Sequence, residues 1–139
     1  MEISFSKARN KIALIWFALG ILLIVLFIIQ LITGRYDYIK GQALEWFYPN
    51  VFPILLLIFG SLFTGKTSKY KNQMVERIFY VISLSLSFVY FLVLFSIIFT
   101  YSSSKGNIIE YYKSFNIILF GLQSLLNISL GLFFSSKKQ

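Results

Sequence analysis

Residues 12–34 read IALIWFALGILLIVLFIIQLITG, an unbroken run without a single charge. A bilayer core takes about 20 apolar residues as a helix, so this run is long enough to cross one. Three basic residues, Lys7, Arg9 and Lys11, stand directly before it. A basic start and an apolar run also describe a signal peptide. This run exceeds the usual apolar region of such peptides, about 7–15 residues, and no small-x-small cleavage pattern follows it. The run therefore reads as a retained first span.

Three further apolar stretches follow, giving spans at about 12–34, 48–65, 78–101 and 114–134. The expected fold is all-α: one domain, 1–139, a polytopic membrane protein with four transmembrane helices in a bundle. Composition agrees. Apolar residues make up 58% and charged residues 13%, against roughly 45–50% and 25% in soluble domains. Mean hydropathy is +0.77. The second span is the shortest. A short interfacial helix over 42–48, ended by Pro49, is expected before it, because the residue preceding proline avoids the helical region. Pro53 then falls in the first turn of the span, where proline is tolerated.

Charge sets the expected orientation. The first, third and fifth flanking segments hold nine basic residues: Lys7, Arg9, Lys11, Lys66, Lys69, Lys71, Arg77, Lys137 and Lys138. The second and fourth hold Arg35, Lys40, Lys105 and Lys113. By the positive-inside rule both termini face the cytoplasm. The net charge of +8 is thus accounted for by topology, and no nucleic-acid partner is expected. The expected location is the inner (cytoplasmic) membrane, since outer-membrane spans are alternating strands.

The two outward segments share a pattern. Lys40-Gly41-Gln42-Ala43-Leu44-Glu45-Trp46-Phe47 and Lys105-Gly106-Asn107-Ile108-Ile109-Glu110-Tyr111-Tyr112 both read KGxxxE and two aromatics, 65 residues apart. Val25-Leu26-Phe27 matches Val93-Leu94-Phe95 at an offset of 68. A tandem 2+2 repeat with halves 1–70 and 71–139 is expected, its halves entering from the same side as a parallel repeat.

Candidate sites follow from this frame. Lys40, Glu45, Trp46, Lys105, Glu110 and Tyr111 form a candidate outer-mouth site. Two glutamates brought together by a pseudo-twofold would hold one proton more tightly. Alternatively, the acids mark helix starts, where the dipole favours them, and the aromatics are belt anchors. Asn116, Gln123 and Asn127 form an intramembrane polar face on the fourth helix. They line a hydrated path or serve as packing glue between helices.

Other chemistry is absent from the sequence. The chain has no Cys and no His, which removes disulfides and the commonest general base and metal ligand. No cofactor, metal or catalytic set is expected. Gly60-Ser61-Leu62-Phe63-Thr64-Gly65-Lys66-Thr67 spells a phosphate-loop pattern. That loop needs a preceding strand in water, whereas this one ends a membrane helix. Small four-helix multidrug exporters have a similar size but rely on an acid within their first helix. Here that helix offers only Gln30 and Thr33 near its outer end, and no family is assigned. The expected function is a non-enzymatic structural, interaction or accessory membrane subunit whose partners are the bilayer and a second copy or another membrane protein. The alternative is a small transporter or channel with a polar path along the fourth helix and the two glutamates at its mouth.

Overall fold

A computed structural model describes residues 2–64, 74–101 and 107–134. The chain begins with a short strand, β1 (Glu2–Ser4), that runs straight into α1 (Phe5–Ile32). After a turn come α2 (Lys40–Thr64), then a second strand, β2 (Met74–Glu76), running into α3 (Arg77–Thr100). Two more helices, α4 (Ile108–Ser114) and α5 (Asn116–Phe134), close the described chain. Three helices, α1, α2 and α3, are long and apolar enough to cross a membrane; α4 and α5, bent by 46°, pass the same test together, for up to four spans. The fold is helical, and the length and apolarity of its helices suggest a membrane protein.

β1 and β2 pair antiparallel, with Ile3 opposite Val75. Since each strand feeds a helix without a gap, the pairing holds the starts of α1 and α3 at one end of the molecule. The ends of α2 and α5 meet them there. Arg9 on α1 donates to the Ser61 carbonyl near the end of α2 at 3.2 Å, and the Phe5 ring stacks on Phe133 of α5 at 5.8 Å. We call this the strand end and its opposite the aromatic end.

The interior is apolar, with a few satisfied polar groups. Trp16, Leu23 and Phe27 of α1, Ile54 and Ile58 of α2, Tyr90 and Leu94 of α3, and Leu119, Leu126 and Leu130 of α5 are buried together. Inside it, the Trp16 indole donates to Ser87 Oγ at 2.9 Å, and Ser87 donates to the Ser83 carbonyl at 2.7 Å. These core polar groups thus find partners, as a low-dielectric interior requires; at the strand end, Arg9 Nε is buried without one among the described residues.

α1 ends in a defined motif. Gly34 sits at φ +85°, and the Arg35 N–H reaches back to the Gln30 carbonyl at 3.1 Å. That six-to-one bond after a left-handed glycine is a Schellman ending. It turns the chain so that Tyr36 re-enters the protein, fully buried.

α2 differs from the sequence expectation. The interfacial helix and the second span form one continuous helix with Pro49 and Pro53 inside it. The fourth span instead carries the break. α4 is capped by Asn107, whose side chain accepts from the Ile109 N–H at 3.0 Å, and stops at Phe115 before α5.

Candidate functional site

Pro53 has no N–H to give the carbonyl four residues earlier, that of Pro49, and Pro49 likewise leaves the Glu45 carbonyl without its helix donor. A break in the backbone ladder is tolerated at membrane depth where neighbouring helices supply the missing partners. Here Gln123 of α5 does so: its Nε2 donates to the Pro49 carbonyl at 3.1 Å. One turn away, Asn50 Nδ2 donates to the Trp46 carbonyl at 2.7 Å, while the Tyr90 hydroxyl donates to the Asn50 carbonyl at 2.7 Å. α2 is therefore held on both flanks, by α3 and by α5, where its own hydrogen bonding is weakest.

Between α2 and the α4–α5 arm lies a groove of about 390 Å³. Gln42, Glu45, Trp46, Pro49 and Asn50 line it from α2, and Lys113, Asn116, Phe120 and Gln123 from the other side. The charged residues stand at the aromatic end, and Phe120 and Gln123 lie deeper along α5. Trp46 is buried; its Nε1 donates to Asn116 Oδ1 at 2.9 Å, and its ring stacks on Tyr112 at 4.5 Å. Because the indole can only donate, the Asn116 oxygen is fixed as the acceptor and its NH2 group is left for the groove.

Behind this wall the aromatic end is closed by a buried relay. The Tyr36 hydroxyl donates to Gln30 Oε1 at 2.8 Å. It lies 2.7 Å from the Tyr112 hydroxyl, which must therefore be the donor of that pair. Burial pushes the Tyr36 hydroxyl above its ordinary value, against smaller opposing effects of the Tyr112 hydrogen bond and the Arg35 charge. The relay is neutral at physiological pH. The Phe27 ring stacks on Phe47 at 4.0 Å beside it, and the Arg35 guanidinium donates to the Ile98 carbonyl at 2.8 Å. None of Tyr36, Tyr112, Gln30 and Arg35 is a candidate site residue from the sequence: Tyr112, Gln30 and Arg35 enter only through the repeated motif, helix polarity and charge, and Tyr36 not at all. Their only signal as a group is a pair of tyrosines in otherwise polar gaps.

The residues named from the sequence divide between several places. Lys40 pairs with Asp37 at 3.3 Å on the exposed surface, where such pairs are worth little. Glu45 and Trp46 line the groove. Glu110 does not; it lies in the first turn of α4, where a carboxylate faces the positive end of the helix dipole. The Tyr111 hydroxyl lies 2.9 Å from Thr100 Oγ1, and its ring meets Phe115 edge-on at 5.2 Å. Lys105 lies outside the described residues, as do Gly65, Lys66 and Thr67 of the phosphate-loop pattern; its Gly60 and Ser61 are helical.

On α5 the polar face separates by depth. Asn116 and Gln123 are in the groove, each engaged with α2. Asn127 is exposed and makes no side-chain hydrogen bond among the described residues. The groove's lining ends at Gln123; beyond it Leu126 and Leu130 are buried. The arrangement offers an open cleft with one acid, one base and several amides at one end of the molecule. Comparison with family models, curated proteins and solved structures finds no match to this chain.

Proposed function

We propose that the chain is a non-enzymatic membrane protein that acts by association within the bilayer, as a structural or accessory subunit. Asn127 carries this reading. It lies about 16 Å along α5 from Asn116 at 1.5 Å per residue, hence near the middle of the helix, and its amide is exposed. An amide left unpaired in hydrocarbon is costly. A helix from a second copy or another membrane subunit would satisfy it, and an amide carries both donor and acceptor, so Asn127 can pair with itself across a twofold axis. Gly131, one turn on and on the same face, has open space where a side chain would stand, which allows close approach.

The strand end is read as cytoplasmic, from the basic residues around it, in an inner membrane. A tandem repeat is supported by the strand-then-helix start of each half and by the ends of α1 and α3, Ile32 and Thr100, which keep the offset of 68 seen in the sequence. The two outer motifs have diverged in use, since Glu45 faces a groove and Glu110 opens a helix. The polar groove favours transport as a second reading. A path would have to continue past Gln123, through the side where Leu126 and Leu130 are packed.

The test is self-association of labelled protein in liposomes at falling protein-to-lipid ratio, with cross-linking in native membranes for other subunits. Asn127→Leu is expected to weaken association about threefold, the effect of an average interhelical hydrogen bond. Association unchanged by Asn127→Leu, or a chain monomeric and unpartnered in both assays, overturns the reading. Ion or dye flux through the purified protein, altered by Glu45→Gln, would favour transport instead.

A further inference from the structure

We propose that the groove between α2 and the α4–α5 arm binds the headgroup of a phospholipid bearing a primary ammonium, a phosphoethanolamine lipid. The inference is independent of association through Asn127, which does not line the groove.

Glu45 and Lys113 line one cleft, yet they do not close on one another. Among the described residues the one ion pair is Lys40–Asp37. An acid and a base facing the same cleft without pairing suit a ligand that carries both signs on a short linker. The Glu45 carboxylate accepts from the ammonium. The Glu45 backbone carbonyl, deprived of its helix donor by Pro49, adds an acceptor at the same residue. Lys113 and the free NH2 group of Asn116 donate to the phosphate, in charge-assisted hydrogen bonds that are the strong ones.

The order of the lining matches a lipid lying along it. Charged groups stand at the aromatic end, where Trp46 sits as belt aromatics do at headgroup level. Asn116 follows, then Phe120 and Pro49, about 10 Å of α5 separating Asn116 from Gln123. The lining thus runs from charge through the Asn116 amide to apolar Phe120 and Pro49, with the Gln123 amide at its deep end already engaged on the Pro49 carbonyl, an order that suits a headgroup and the glycerol region below it. A volume of 390 Å³ is in the range of small-molecule sites. The cleft also discriminates. A choline headgroup has no N–H to give Glu45 and prefers an aromatic cage, whereas one face of Trp46 is already covered by Tyr112. A phosphoglycerol headgroup would leave Glu45 facing an anion.

The experiment is native mass spectrometry of the full chain released from nanodiscs holding equal fractions of phosphoethanolamine, phosphocholine and phosphoglycerol lipids of the same acyl chains. Retention of the phosphoethanolamine lipid is expected to exceed the other two. Glu45→Gln should cut that preference about tenfold, the scale of one charge-assisted hydrogen bond, and leave phosphoglycerol retention intact or raised. Lys113→Gln should lower retention of all three, and Lys40→Gln, outside the groove, should change nothing. Both groove residues are solvent- or lipid-facing, and circular dichroism of each variant checks that the helices persist. Equal retention of the three lipids, preference for phosphoglycerol, or a preference that survives Glu45→Gln overturns the proposal. So does displacement by glycerophosphoethanolamine at concentrations matching the lipid, which would make the occupant a soluble headgroup rather than a membrane lipid.

Discussion

Replacing Gln123 by Leu tests whether α5 repairs the backbone of α2. The side chain keeps its apolar contacts and loses one hydrogen bond, Nε2 to the Pro49 carbonyl at 3.1 Å. Interhelical hydrogen bonds in membrane proteins are worth about 0.6 kcal/mol on average and about 1.7 at most. The Pro49 carbonyl has no other donor in its own ladder, because residue 53 is proline. The loss should therefore fall in the upper part of that range, about 1–1.7 kcal/mol. The decisive comparison uses Pro53→Ala. Alanine returns an N–H to the ladder, so the Pro49 carbonyl no longer depends on Gln123, and Gln123→Leu in that background should cost well under half as much. Stability is read by reversible unfolding in mixed micelles, followed by circular dichroism. Costs equal within about 0.3 kcal/mol in the two backgrounds would mean that the sites are independent, and the repair argument would be refuted.

Gly34→Ala should destabilise by about 1–2 kcal/mol, because a non-glycine residue there must hold a left-handed backbone. The new Cβ would also stand 2.8 Å from Asp37 Oδ2. Gly34→Asn, which tolerates that conformation better, should cost less in the same unfolding assay, and equal costs would count against the Schellman ending. The Tyr36 relay predicts an alkaline limit. Burial raises the hydroxyl's folded pKa, so its contribution is fully present below the unfolded value of about 10 and is lost as pH rises through the folded value. Unfolding above pH 10, followed by near-ultraviolet circular dichroism, should start at higher pH in Tyr36→Phe. An onset that does not move would remove Tyr36 from the account.

The long apolar helices α1 and α3 were legible because hydropathy is additive along the chain: a run such as residues 12–34 has nowhere to go but into lipid or a core. The polar stripe of the last helix was legible for the same kind of reason, since 3.6-residue spacing places Asn116, Gln123 and Asn127 on one side. What each amide does was not. Asn116 meets Trp46 at a separation of 70 residues, and Tyr112 meets Tyr36 at 76. No local pattern encodes such pairings. The repeat suggested equal use of Glu45 and Glu110, but α2 begins at Lys40 and α4 only at Ile108. The same motif therefore falls in the second turn of one helix and the first turn of the other.

Glu45, Trp46, Asn116 and Gln123 were named from the sequence, and Pro49 shows why a local reading did not join them in one groove. Taken alone, proline ends a helix by removing one donor and crowding one carbonyl. In α2 the helix persists, and the freed carbonyls become a resource. They belong to Glu45 and Pro49, and both residues line the groove. One carbonyl accepts from Gln123, so the proline that weakens α2 internally also draws α5 against it. The other belongs to Glu45, which lines the groove together with Lys113. The contact by which Gln123 holds α5 to α2 is thus a consequence of two imino acids four residues apart. A membrane helix with neither would bind its own carbonyls and leave Gln123 without this partner. The amide stripe divides at Gln123: Asn116 accepts from the Trp46 indole and Gln123 donates to the Pro49 carbonyl, both on α2, whereas Asn127 is exposed.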